Sequence, residues 1–246
     1  MIATRIPKNE NKSTDKILVI GGHHDTVYGS RGANDNASSV VTLLELARVL
    51  ADYPMDREVR FMALGGEEGG GGAARYVESL SEEEKARITM ICMEMLGSAY
   101  APQEKTFVAT ARNPSIGNFM TDSIMDAGDR LLLDVPFAGR VTGSDHVAFR
   151  NGGMEEMIYA RAYPENIPWD PLNRYGLEPQ YHTPLDTMEY MSWERLEEAA
   201  KTVAAGIYDF LRKDTRNLVR SAIRKDLDFS AESAAFPSPN NALGEE

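Results

Sequence analysis

The apolar positions of this chain fall alternately into short continuous runs and helical stripes. KILVIGG (16–22) is an unbroken apolar run with β-branched residues at its centre and a glycine pair at its end, the pattern of a strand buried on both faces. VRFMALGG (59–66) repeats that form, and ITMICMEML (88–96), KTFVAT (105–110) and EEMIYARA (155–162) also read as strands. Between them the period changes to that of a helix. Val40, Val41, Leu43, Leu44, Ala47 and Leu50 form a stripe within 36–51, with Asn34, Asp35 or Asn36 placed to cap it. EEGGGGAARYVESL leads into a second helix, SIGNFMTDSIMDAG (115–128) reads as a third, and SWERLEEAAKTVAAGIYDFLRK (192–213) as a long amphipathic one capped by Ser192. Strands alternating with helices predict an α/β fold built on one mostly parallel, mixed β-sheet sandwiched by helices.

Length and charge narrow the picture. The 246 residues fit one domain over 1–226, followed by a small, polar, proline-containing tail (227–246) expected to be disordered. With 26 basic against 38 acidic residues, a net charge of −12 argues against nucleic acid or an anionic membrane as partner. No apolar run approaches the roughly 18–20 residues of a membrane span, and the polar start MIATRIPKNENK does not read as a signal peptide. Cys92 is the one cysteine, so there is no internal disulfide, and its apolar neighbours make it a buried structural thiol rather than a nucleophile.

Candidate chemistry is concentrated around the histidines. His23 and His24, His146 and His182 all sit in short motifs that also carry acids, the mixture of a hydrolytic zinc site. Ligands of open α/β sheets gather beyond the carboxyl ends of strands, and His23, Glu67, Glu68 and Glu94 fall at three such ends. Residues two apart on a strand face the same way, so His23 and Asp25 pair while His24 opposes them. That favours His23 as a ligand, with Asp25 fixing its tautomer. Asp186, four residues after His182, either holds that ring or is an ordinary turn aspartate. The proline- and aromatic-rich stretch from Tyr163 to Tyr181 reads as a long loop walling a site.

Six motifs in order, GGHHDTV (21–27), GANDNAS (32–38), GGEEGGGGAARYV (65–77), MEMLGS (93–98), GSDHVAF (143–149) and YHTPLDT (181–187), resemble those of metallopeptidase family 28. These are co-catalytic zinc aminopeptidases that share a fold with glutaminyl cyclases, and the resemblance runs from about Ile2 to Leu211. It implies two Zn²⁺ per chain held by His23, Asp35, Glu68, Glu94 and His182, with Asp35 bridging, although the family usually has aspartate where Glu94 stands. It further implies Glu67 as general base, the Tyr181 phenol as donor to the tetrahedral oxyanion, Asp145 and His146 close by, and a cis peptide bond between Asp35 and Asn36. Two zinc ions carry more positive charge than Asp35, Glu68 and Glu94 remove, and the excess brings the pKa of a bridging water toward about 7. Glu68 can then stay on metal while Glu67 moves the proton; the bland alternative for the pair is a solvated helix start, where acids are favoured anyway.

The implied function is a zinc-dependent exopeptidase that hydrolyses the N-terminal bond of peptides, with apolar N-terminal residues expected. A glutaminyl cyclase-like acyltransferase, a carboxypeptidase or dipeptidase of the same family, and a catalytically dead binding domain are the alternatives. The resemblance leans towards a secreted or cell-envelope protein and leaves the oligomeric state open. Relatives usually carry helices and a strand ahead of the segment that opens this chain, so an exposed apolar patch near residues 1–22, or reduced thermal stability, is expected.

Overall fold

The computed structural model describes residues 1–6, 16–99, 105–112, 117–162 and 178–211. Among these, seven strands form one sheet: β1 (Ile2–Arg5), β2 (Ile17–His23), β3 (Glu58–Leu64), β4 (Ile88–Glu94), β5 (Lys105–Thr110), β6 (Phe137–Arg140) and β7 (Glu155–Ala162). Their order is β1-β3-β2-β4-β7-β5-β6. The centre, β3-β2-β4-β7, is parallel, whereas β1 on β3 and β5 on β7 are antiparallel, so the sheet is mixed with a parallel core as expected. β2 and β4 are buried along their whole length, which is why their apolar runs are unbroken.

Six helices of the described residues cover the sheet: α1 (Ser38–Leu50), α2 (Gly72–Ser79), α3 (Glu82–Arg87), α4 (Phe119–Arg130), α5 (His146–Asn151) and α6 (Trp193–Leu211). Strand alternation divides the core in two. Leu18, Ile20, Ile91, Met93, Met157 and Tyr159 pack against Leu43 and Leu46 of α1, Ile124 of α4, and Val203 and Ile207 of α6. Ile17, Val19, Met90, Cys92, Ile158 and Ala160 face the other way, onto Ala73 and Val77 of α2 and Phe149 of α5. Each fully buried Ile, Leu or Phe contributes roughly 1.5–3 kcal/mol, so both layers are anchored largely on β2 and β4. Among the described residues no helix is long and apolar enough to cross a membrane.

Several sequence expectations shift. The first helix begins at Ser38, not residue 36, and Ala33–Ala37 form a separate tight turn ahead of it with no side-chain cap. Ser192 does cap α6, its Oγ accepting the Arg195 N–H at 3.3 Å. Two short edge strands, β1 and β6, and the short helices α3 and α5 carry too little pattern to be read in advance. The apolar patch expected near residues 1–22 is confined to Met1, Ile2 and Ile6 among the described residues, because Ile17–His23 is covered on both sides. A larger exposed apolar surface lies elsewhere, on α1 and α6, at Val41, Leu44, Val49, Trp193 and Tyr208. The tail and most of the Tyr163–Tyr181 loop lie outside the described residues.

Glu156 of β7 is fully buried, and its carboxylate accepts the Ala111 N–H at 3.1–3.2 Å. Burial pushes its pKa up to about 7, the Ala111 N–H and the charges of Arg112 and Arg150 opposing. A carboxyl whose folded pKa is raised stays protonated in the native state after the unfolded chain has released its proton. It therefore costs no stability below the ordinary carboxylate range, and the cost grows as pH rises towards 7. Glu156→Gln keeps an acceptor for Ala111 and should raise the unfolding midpoint at pH 8 by roughly 2–4 °C per kcal/mol relieved, with little change at pH 4. Equal effects at both pH values would contradict the assignment.

Candidate metal centre

Three strand ends converge on one rim. β2 ends at His23, which pairs in register with Leu64, the last residue of β3. Gly21 pairs with Cys92, which brings Glu94 level with His23. After β3 the chain passes through Gly65 and Gly66 into Glu67 and Glu68. Gly70 and Gly71 then both donate to the Gly66 carbonyl, at 2.7 and 2.6 Å. Glycine is required here: a Cβ on Gly72 would stand 1.8 Å from the Gly65 oxygen, and Gly66 has φ +81°. The loop closes tightly enough to bring both glutamates back over His23.

Asp35 arrives differently. The turn Ala33–Ala37 is largely buried, and the Asp35–Asn36 peptide bond is cis, as the family resemblance implies. Its polar side chains do not cap α1. Asn36 accepts the Met95 N–H at 3.2 Å and donates to the Met93 carbonyl at 3.1 Å. Ser38 Oγ accepts the Leu96 N–H at 3.0 Å, and Asn34 Oδ1 accepts the Gly97 N–H at 2.9 Å. The chain leaving β4 has three buried N–H groups to satisfy, and these residues satisfy them. They thereby lock the Asp35 turn onto the strand end that carries Glu94.

Two sets of side chains then share Asp35. His23 Nε2 lies 3.2 Å from Asp35 Oδ1 and 3.2 Å from Glu94 Oε1. His182 Nε2 lies 3.1 Å from Asp35 Oδ2 and 3.0 Å from Glu68 Oε1. Donors about 2.1 Å from a tetrahedral zinc stand about 3.4 Å from one another, so both sets have ligand-to-ligand spacing. Asp35 Oδ2 is a buried oxygen without an aligned hydrogen bond among the described residues, and a cation would satisfy it. Burial raises the carboxyl pKa of Glu68 and of Glu94, and the neighbouring Asp35 charge raises both further. Burial alone would lower His23, but its hydrogen bonds to Asp35 and Glu94 push it up to about 12. A proton on Nε2 thus occupies the place of a cation, and the donor set fits one. Glu67 belongs to neither set sharing Asp35; its carboxylate lies within 4.8 Å of His23 and Glu68 donor atoms, and burial pushes its pKa up to about 8.

Residues 2–207 match the profile of peptidase family M28. The chain belongs to this family. It is 34% identical over 213 residues to "Aminopeptidase YwaD" of Bacillus subtilis (strain 168), covering 86% of this chain and 45% of that protein. Among solved structures it is similar to BSAP, described as a zinc aminopeptidase from Bacillus subtilis, with a TM-score of 0.76 at 33% identity over 87% of this chain and 50% of that one. An aminopeptidase from Aneurinibacillus sp. strain AM-1 gives a TM-score of 0.74 at 36% identity, over 86% and 47%. The chain spans about half the length of these relatives.

Against this family background, some sequence assignments need correction. The tautomer of His23 is set by the Asp25 backbone carbonyl, 2.8 Å from Nδ1, rather than by its carboxylate, which is 3.8 Å away. A carbonyl only accepts, so Nδ1 carries a proton and Nε2 faces Asp35 and Glu94. The Asp25 carboxylate instead receives the N–H groups of Glu67 at 3.3 Å and Glu68 at 3.2 Å. Asp25→Asn should therefore leave the His23 tautomer alone while loosening Glu68, weakening zinc affinity about 10–100-fold by dialysis; unchanged affinity would contradict this role. Asp186 does not hold His182 either. Its two oxygens accept the Asn34 N–H at 2.7 Å and the Asp35 N–H at 3.0 Å.

His146 Nε2 lies 2.9 Å from the Val141 carbonyl, and burial pushes its pKa down to about 4. Asp145 does lie near: burial pushes it up to about 7, against the pull of His23 and with the help of Glu94 and Asp25. Ser144, unremarkable in the sequence, donates to Glu94 Oε2 at 2.6 Å. Tyr181 stacks on His182 with ring centroids 3.7 Å apart. Burial and then the surrounding carboxylates push its phenol pKa upward, so it remains a hydrogen-bond donor. A cavity of ≈ 320 Å³ opens over the centre, lined by His23, Asp35, Glu67, Glu94 and Tyr181 together with Met95, Phe107, Val141, Ile158, Ala160 and Arg161.

Proposed function

We propose that this chain is the catalytic domain of a two-zinc aminopeptidase that removes apolar N-terminal residues from peptides. One observation carries the reading: Asp35 presents one oxygen to His23 and Glu94 and the other to His182 and Glu68, so two ligand sets adjoin through a single carboxylate. The relatives described as aminopeptidases, one of them a zinc enzyme, support the same choice. Zinc in these positions would polarise the scissile carbonyl and make water acidic enough to attack near neutral pH.

The protein's own residues do the rest. Glu67 faces the cavity without serving either ligand set, so its carboxylate is available to take a proton from the attacking water and return it to the leaving amine. Tyr181 lines the cavity, and its hydroxyl would donate to the oxyanion. Met95, Phe107, Val141, Ile158 and Ala160, which line the cavity beside Arg161, give it apolar surface that favours an aliphatic side chain.

Hydrolysis of leucine p-nitroanilide by the full chain, measured before and after chelation and again after zinc is returned, tests the reading. Zinc-dependent release supports it; protein that carries two full-occupancy ions and stays inert sinks it. One zinc per chain with cyclisation of N-terminal glutamine and no hydrolysis would place the chain with the acyltransferases instead.

A further inference from the structure

Asp25 and Asp186 use the same device. Each is a carboxylate that receives the N–H groups of two consecutive residues, Glu67 and Glu68 for Asp25, Asn34 and Asp35 for Asp186. In both cases the residue so held carries an acid of the centre. Asp186 is buried to 1% exposure, and its bonds are the shorter of the two pairs. It is also tied to His182 through the chain: the Asp186 N–H donates to the Thr183 carbonyl at 3.2 Å, and the Ala33 N–H donates to the Asp186 carbonyl at 3.3 Å. Glu178, on the other side of His182, accepts from the Asn34 side chain at 2.6 Å. The segment 178–187 thus grips the Asp35 turn at both ends, while His182 between them stands in the left-handed region at φ 59°.

We propose that Asp186 is a positioning residue that couples the two halves of the centre, fixing the backbone of Asp35 so that its second oxygen meets His182. This role rests on the ligand assignment above. The His23–Glu94 half has supports of its own: two parallel strands in register and the Ser144 hydroxyl on Glu94. His182 lies on no strand, and the Glu68–His182 half depends on the 178–187 segment keeping its grip. Asparagine at 186 could accept from one of the two N–H groups but would turn an NH₂ towards the other. Asp35 would then lose its alignment towards His182 before it lost that towards His23.

Zinc titration of the chelated full chain, with bound metal measured after equilibrium dialysis, separates the outcomes for wild type, Asp186→Asn and His182→Ala. For Asp186→Asn the expected result is a first ion held as in wild type and a second weakened about 10–100-fold, the usual effect of removing a group that orients ligands. Native affinity for both ions would overturn the proposal, and so would equal weakening of both, which is what a general loss of structure produces. Should Asp186→Asn fail to fold, Asp186→Ser, which retains one acceptor, carries the same test with an intermediate loss expected and native second-ion affinity overturning it. His182→Ala distinguishes the two levels of argument. If it retains both ions, the ligand assignment falls; if it loses one while Asp186→Asn keeps both, only the positioning role falls.

Discussion

Replacing Glu67 with glutamine is expected to lower kcat by roughly 10²–10⁴-fold, the usual share of a positioned acid–base group, while the protein still binds both zinc ions. The side chain keeps its shape, and neither set built around Asp35 includes it, so ligand geometry is preserved. What is lost is the ability to take a proton. The surroundings of Glu67 suit a base: desolvation pushes its pKa up to about 8, and the tight loop fixes it over His23. Nearby positive charge pulls that value down, as His23 already does, and zinc would pull it further towards the range where a base works at neutral pH. KM should change little, because the rest of the cavity lining is unaltered. Steady-state kinetics on leucine p-nitroanilide, paired with zinc analysis of the same preparation, check this. Near-normal turnover with two ions bound would take Glu67 out of the base role.

How legible each residue of the site is in the sequence depends on how that residue is held. The central strands β2 and β4 are apolar runs because both faces are covered, β3 is half-covered and carries Glu58 and Arg60, and a glycine pair or an acid marks where β2, β3 and β4 leave the sheet. Spacing alone therefore puts His23, Glu67, Glu68 and Glu94 on one rim. The directions of β1 and β5 and the existence of β6 are not readable, since four-residue or edge strands carry little periodicity and pairing direction leaves no mark in it.

Asp35 is legible only through the family motif. Nothing local distinguishes it from a helix-capping aspartate, and what buries it are partners at Met93–Gly97 and Asp186. The same limit explains Asp25 and Asp186. Strand alternation correctly pairs Asp25 with His23 as neighbours, yet the chain turns immediately after β2, so the carbonyl meets the ring and the carboxylate meets the next loop. In the sequence Asp186 has His182 as its obvious neighbour, while its partners lie 151–152 residues away. Period and spacing report what a residue does within its element; they are silent on which backbone N–H groups another loop leaves unsatisfied.

Asp35→Asn should be the most damaging single change for metal binding, and its effect on stability should depend on the metal. The carboxylate is the one group common to both ligand sets, Oδ1 towards His23 and Oδ2 towards His182. Asparagine supplies one oxygen and turns an amide NH₂ to the other ring, so one half loses its charge and its donor together. Breaking a buried pairing of this kind costs about 3–5 kcal/mol, which corresponds to roughly 10²–10³-fold or more in affinity for the affected ion. In metal-free protein the sign is opposite for the acids: the Asp35 charge raises the pKa of both Glu68 and Glu94, so neutralising it relieves repulsion between them. Thermal unfolding in chelator should thus show a smaller gap between variant and wild type than unfolding in excess zinc, where wild type gains from two binding events and the variant from one. Two tightly bound ions in the variant, with the same zinc-induced rise in midpoint as wild type, would refute the bridging role of Asp35.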